Sequence, residues 1–189
     1  MDNLAEQVRL HPAGEADVAF LQQMFGEPDR VGESEWIGWR DPHDFRRRWD
    51  ENGFVGQDSA LLLVLLGEER LGSVTYERRP AWPTGYYWEI GIALVPEARG
   101  HGYGTEAQRQ LVRYLFAHTP ANRIEACTYA DNIAEQRALE KAGFTREGVR
   151  RGVDWRDGAW HDQALYGILR DDPGAKAARQ PRRRRLTAS

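Results

Sequence analysis

The sequence predicts one mixed α/β domain, and three observations carry that expectation. Strand-sized apolar or alternating runs, some folded back as hairpins, are interleaved with segments whose apolar residues recur at helical spacing. A length of 189 residues suits one core and leaves little room for two. Hydrophobic residues make up 41% and charged residues 29%, far from the charge-rich, apolar-poor balance that keeps chains disordered.

Gln7–Leu10 alternates weakly and reads as a short strand. Ala16, Ala19, Phe20 and Met24 predict a helix over Glu15–Phe25, stopped by Gly26–Pro28. Asp41-Pro42 is an N-cap followed by proline at the first helical position, opening a helix to Glu51. Ala60–Leu66 and Leu71–Glu77 flank Gly67-Glu68-Glu69-Arg70 as a hairpin. Arg79–Tyr87, with Pro80, Trp82, Pro83 and Gly85, reads as a loop. Trp88–Val95 is strand-like and buried, and ends at Pro96.

A glycine-rich turn, Arg99-Gly100-His101-Gly102-Tyr103-Gly104, leads into a helix over Thr105–Ala117 with Ala107, Leu111, Tyr114 and Leu115 on one face. Ile124–Tyr129 is a strand, and Ile133–Lys141 a helix closed by Gly143. Thr145–Trp155 and Trp160–Leu169 form a last hairpin around Arg156-Asp157-Gly158. Periodicity then stops. The expectation is a domain over residues 1–170 and a basic, flexible tail over 171–189, so removing Ala175–Ser189 leaves folding intact.

The longest apolar run, Ala60–Leu66, is far short of the ~20 residues of a membrane helix. MDNLAEQVRL lacks the layout of a secretory signal, so a cytoplasmic protein is expected. The single cysteine, Cys127, excludes an internal disulfide framework, and the five histidines lack ligand spacing, so no metal is expected. Residues 1–169 hold 19 basic and 27 acidic side chains, a net of −8, which disfavours nucleic acid and favours cationic small partners.

The chemistry sits in the strand, glycine turn and helix. A helix N-terminus offers unpaired N–H groups and a positive dipole end, a natural seat for phosphate. Glycines at 100, 102 and 104 let backbone approach an anion, and Arg99 adds charge. The spacing R-G-H-G-Y-G is not the G-x-G-x-x-G of a dinucleotide fold, and no Gly-Lys-Ser/Thr of a P-loop is present. A pyrophosphate seat and a plain glycine-rich connector both remain open on these residues alone.

Pro96–Gly104 resembles the R/Q-x-x-G-x-G/A acetyl-coenzyme A loop of the GNAT acetyltransferase superfamily. Asp131-Asn132 followed by Leu139-Glu140-Lys141-Ala142-Gly143-Phe144 resembles the second block of its ribosomal-protein alanine N-acetyltransferase (RimJ/RimL-like) branch. The resemblance implies a twisted, mostly antiparallel seven-stranded sheet, splayed beside the fourth strand, with helices on both faces. It implies acetyl transfer from acetyl-CoA to a primary amine by direct attack in a ternary complex, in a monomer or homodimer.

It also implies roles for particular residues. Ile92, Ala93 and Leu94 offer backbone groups to the pantetheine arm. The backbone N–H groups of Gly100, His101, Gly102, Tyr103, Gly104 and Thr105 hold the pyrophosphate, and Arg99 adds positive charge beside them. Asn132 bonds the pantetheine amide or orients the thioester, and caps the following helix as an alternative or additional role. Glu89 stands where related enzymes place a base that works through water. Leu139 and Glu135 occupy the family's usual tyrosine and serine positions, which leaves the general acid open, with Tyr103, Tyr129 and Tyr166 as weak candidates.

The acidic stretch Glu15–Asp58, with Glu33 beside Trp36 and Trp39, and Trp82 in its predicted loop, is expected to receive a small cationic metabolite or antibiotic. Two alternatives stand beside it. One is a protein N-terminus acceptor, with Arg182–Arg185 as a ribosome-directed anchor; the other is a non-catalytic acyl-CoA-binding domain.

Overall fold

Strand β2 (Ser59–Leu66) is apolar on both faces because both faces are covered. Leu61, Leu63 and Leu65 pack with Val18 and Leu21 of α1 (Val18–Gly26) and Phe45 of α3 (Asp44–Asn52). Ala60 and Val64 join a larger cluster on the other side, built around α4 (Tyr103–His118). The computed structural model describes residues 7–32, 38–39 and 41–179.

Seven strands form one sheet in the order β1-β2-β3-β4-β5-β7-β6. The remaining strands are β1 (Val8–Pro12), β3 (Glu69–Ala81), β4 (Gly85–Leu94), β5 (Arg123–Tyr129), β6 (Thr145–Arg156) and β7 (Ala159–Leu169). Every pairing is antiparallel except that of β4 with β5. A short α2 (Pro28–Val31) follows α1, and α5 (Ile133–Ala142) joins β5 to β6. The mixed α/β architecture with helices on both faces therefore agrees with expectation.

Three local expectations are corrected. Arg79–Tyr87 is not a loop: β3 runs to Ala81 and β4 starts at Gly85, with Arg79 opposite Tyr87 and Pro80 opposite Tyr86. Proline is tolerated there because β2 pairs with β3 only as far as Ser59 and Glu77, so Pro80 owes no hydrogen bond on that side. The third helix begins at Asp44 rather than after Asp41, whose side chain instead accepts the His43 N–H at 2.8 Å. On α4, Tyr114 is exposed, and the buried face is Ala107, Gln108, Leu111, Val112, Leu115 and Phe116.

The domain boundary expected at residue 170 also moves. Arg170 donates to the carbonyls of Phe116, Thr119 and Ala121, satisfying groups that the end of α4 leaves open. Pro173–Arg179 then forms α6, whose Ala175 is fully buried in the main core. Packing thus extends past the strand end because Gly174 lies backbone to backbone against Gly143. Arg182–Arg185 lie outside the described residues.

Candidate active site

The parallel pair β4–β5 holds over three positions only: Trp88 with Ile124, Glu89 with Glu125 and Ile90 with Ala126. Beyond Ile90 the strands part, and a cavity of about 100 Å³ opens there. Residues 90–92 of β4 and 126–128 of β5 wall it, and Gln108, Glu135 and Leu139 close it from α4 and α5. Ile92 and Glu135 also border a larger cleft of about 430 Å³, so the two spaces adjoin.

The glycine turn floors this cleft. Gly100 and Gly102 have φ of +78° and +84°, a left-handed conformation that a side chain disfavours by roughly 1–2 kcal/mol. Gly102 is the N-cap of α4 and brings no side-chain bond. The first-turn N–H groups of α4 have no intrahelical acceptor, and the positive end of the dipole opens where Gly102, Gly104 and Thr105 line the cleft. Ile92, Ala93, Leu94, Arg99, Gly100 and Asn132 line it as well.

Three side chains of this loop serve the fold itself, which leaves the expected anion contacts of His101 and Tyr103 to their backbone N–H groups. The Tyr103 ring is buried in the core and stacks on His101 at 5.5 Å, so neither side chain lines the cleft. Arg99 turns its guanidinium back onto the Leu94 carbonyl, at 2.9 and 3.0 Å, and the Arg30 carbonyl, at 3.2 Å. It therefore fastens the end of β4 to the α2 region, where Gly32 makes room for its guanidinium.

From α5 the cleft receives Ala134, Arg137, Ala138 and Lys141, one face of the helix at spacings of three and four. Sequence reasoning missed these residues. The helical spacing counted from the Asn132 cap was the available signal, with small alanines for close approach and two cations for a phosphate group. Asn132 Oδ1 accepts the Glu135 N–H at 3.1 Å, so the capping role is realised in the same residue that lines the cleft.

Glu89 faces the other side of the sheet. Trp88 bonds Thr119, at the end of α4, through its indole N–H, and alternation sends Glu89 the opposite way. There Glu77, Glu89 and Glu125 stand side by side on β3, β4 and β5. Arg79 bonds Glu77 at 2.9 Å and Glu89 Oε1 at 2.8 and 3.3 Å, while Arg123 bonds Glu125 at 2.6 Å and also holds Glu147. Among the described residues Glu89 Oε2 has no hydrogen-bond partner. Two residues further along β4, a rise of roughly 6–7 Å, Gly91 borders the small cavity.

Nearby groups hold their protons. Burial first, and the Glu125 and Glu89 carboxylates next, push the Tyr87 hydroxyl up. Burial pushes the Cys127 thiol up, against a smaller opposing effect of Arg150. A thiol so held is a poor nucleophile, which disfavours an acyl-cysteine route. Of the tyrosines weighed as acids, Tyr166 donates to Gln136 and Glu140 at 3.3 Å, and Tyr129 lies under Arg156 at 4.1 Å. Among the described residues no tyrosine lines either space, and buried Leu139 stands at the small cavity.

On the expected acceptor side, Trp82 is 94% exposed at the β3–β4 hairpin tip, the opposite end of β4 from the cleft. Trp39 is exposed, while Glu33 and Trp36 lie outside the described residues. Much of the acidic stretch is locally neutralised: Glu15, Asp17, Glu27, Asp41, Asp44, Asp50 and Asp58 all pair with arginines. Among the described residues no group of three or more His, Cys, Asp or Glu could hold a metal ion, and no helix is long and apolar enough to cross a membrane.

A parted parallel strand pair, a left-handed glycine turn and an open helix N-terminus thus meet at one cleft of a mixed α/β domain. Residues 7–145 match the model of the acetyltransferase (GNAT) domain, and the chain belongs to that family. It is 40% identical over 83 residues to the Probable N-acetyltransferase YjcK of Bacillus subtilis (strain 168), covering 44% of this chain and 46% of that protein. The chain spans about half the length of the curated relatives it matches. Its fold resembles spermidine N-acetyltransferase from Vibrio cholerae in complex with CoA and spermine, with a TM-score of 0.74 and 16% identity over 88% of this chain and 98% of that one. It also resembles RimL, the ribosomal L7/L12 alpha-N-protein acetyltransferase in complex with coenzyme A, with a TM-score of 0.73 and 19% identity over 86% and 94%.

Proposed function

We propose that this chain transfers an acetyl group from acetyl-CoA to a primary amine of a small cationic metabolite or antibiotic, by direct attack in a ternary complex. One observation carries the proposal: the large cleft joins the open N-terminus of α4 to the gap between β4 and β5, with Glu89 on the far face of the same strand. The residues fit the donor. The first-turn amides of α4 and the cations Arg137 and Lys141 suit its phosphates, and the narrow gap suits its extended arm.

Acetyl-CoA supplies the acetyl group as a thioester. Glu89 accepts the ammonium proton through water, freeing the lone pair that forms the new C–N bond. Backbone N–H groups of β4 beyond Ile90, where β5 no longer pairs, polarise the carbonyl. The C–S electrons leave on sulfur, and the second proton of the attacking nitrogen passes to that thiolate, so the leaving group departs as coenzyme A thiol without the missing tyrosine. Cys127, held as a thiol, takes no part as an acyl carrier. The names of the structural neighbours, one bound to a polyamine and one acting on protein, keep a protein N-terminus as the second acceptor class.

The test is free-thiol release from acetyl-CoA over a panel of small amines and of peptides beginning with alanine or serine. Turnover on cationic small amines supports the proposal. Turnover on peptides alone moves the acceptor to proteins, and binding without any turnover makes the chain an acyl-CoA-binding domain.

Two predictions follow from the same geometry. Gly102→Val places a branched side chain at φ +84°, so coenzyme A binding weakens at least tenfold, about 1.4 kcal/mol, in calorimetry. An unchanged affinity with the fold intact would reduce the turn to a connector. The net charge of −8 over residues 1–169 attracts a cationic acceptor. Its kcat/KM, where association limits it, therefore falls as salt shortens the Debye length from ~30 Å at 0.01 M to ~8 Å at 0.15 M. A rate independent of salt rejects charge steering.

A further inference from the structure

Gln108 is the one polar residue on the buried face of α4, 1% exposed, and it lines the small cavity at the parting of β4 and β5. Its Nε2 donates to Glu135 Oε1 at 2.5 Å, whereas its Oε1 is buried with no hydrogen-bond partner among the described residues. A buried acceptor left unmatched is costly, and native proteins rarely keep one without a use.

The direction of this amide follows from its partner. An ionised carboxylate only accepts hydrogen bonds, so Glu135 binds the nitrogen end and leaves the oxygen on the other side. Glu135 is itself fixed at its backbone, because its N–H donates to the Asn132 side chain at the start of α5. Asn132, Glu135 and Gln108 therefore form a relay that presents one carbonyl oxygen at the cavity.

We infer that Gln108 Oε1 is a reading group for the coenzyme, accepting a hydrogen bond from a donor at the thioester end of the pantetheine arm. The inference rests on the cofactor reading above and adds a specific contact to it. Two donors have the required chemistry, the amide N–H nearest the sulfur and, once acetyl has been transferred, the thiol. Both lie on the part of the arm that the gap between the strands can admit. The phosphates and adenosine, held in the larger cleft, lie away from Gln108, which does not line that space. Gln108 thus grips the arm independently of the anion seat, and it acts as a positioning residue rather than as an acid or base.

Calorimetry on the full chain tests this with three probes: coenzyme A, acetyl-coenzyme A and 3′,5′-ADP, which carries the adenosine, the 3′-phosphate and the inner 5′-phosphate without the arm. Gln108→Leu and the unbranched Gln108→Met both remove the acceptor, so the test survives if one of them fails to fold. Coenzyme A is expected to bind both variants roughly three- to tenfold more weakly, while 3′,5′-ADP binds unchanged. An equal loss for acetyl-coenzyme A identifies the amide N–H as the donor, and a loss confined to free coenzyme A identifies the thiol. Unchanged coenzyme A binding overturns the inference, as does an equal loss for 3′,5′-ADP, which would mark a general structural effect. Wild-type protein that binds none of the three overturns the cofactor reading itself, an outcome separable from the others.

Discussion

Glu89→Gln is expected to lower kcat for the amine acceptor by roughly 10²–10⁴, the range typical of losing a general base. The substitution keeps the shape and an oxygen that Arg79 can bond, so the contact at 2.8 Å survives while the proton affinity disappears. Binding is spared, because Glu89 and the α4 N-terminus lie on opposite faces of the sheet. Steady-state kinetics at neutral pH, paired with coenzyme A titration, separates the two effects. A variant with full rate would make Glu89 a strand carboxylate whose task is to hold Arg79 between Glu77 and Glu89. Loss of coenzyme A affinity in step with kcat would point to a distorted β4 instead.

How much of this was legible in the sequence depends on whether a feature is local. The glycine turn and the Asn132 cap were legible because their chemistry is complete within a few residues: a backbone sign, a helix start, a side-chain oxygen. The β3–β4 hairpin was not, because Pro80 and Pro83 read as breakers. What tolerates Pro80 is the absence of β2 beside it, a fact about a strand that begins at Ser59, some twenty residues earlier. Arg137 and Lys141 were missed for a related reason. Helical spacing aligns them, but only the packing of α5 beside the glycine turn decides that the aligned face meets a cleft.

Composition told only part of the acidic stretch. Seven of its carboxylates pair with arginines such as Arg46, Arg47, Arg70 and Arg78, some in distant elements, while Glu33 and Glu35 lie outside the described residues. Charge counted along the chain does not record such pairs. Gln108 illustrates the opposite case. A polar residue among apolar ones at helical spacing is easily passed over, and its meaning depends on Glu135, which approaches from another helix.

Gly174→Val is expected to destabilise the fold, because the end of α5 leaves no space for a side chain at the start of α6. A Cβ on Gly174 would lie 2.6 Å from the Gly143 carbonyl oxygen and 2.7 Å from its Cα, both backbone atoms that cannot swing aside. Gly143 cannot easily shift either, since it closes α5 in the left-handed conformation at φ +105° and its N–H is bonded to Glu140. The strain therefore falls on α6, which must lift away and expose Ala175 along with the core surface it covers near Ala142 and Phe144. Overpacking of this kind costs about 1–3 kcal/mol, and each kcal/mol lowers Tm by roughly 2–4 °C in a domain of this size. Thermal unfolding should thus show a drop of several degrees for Gly174→Val and at least as much for a chain ending at Asp172, which lacks α6. The basic, aperiodic composition of this region had suggested that removing Ala175–Ser189 would be harmless. An unaltered Tm in the truncated chain would restore that view and make the seat of α6 energetically idle.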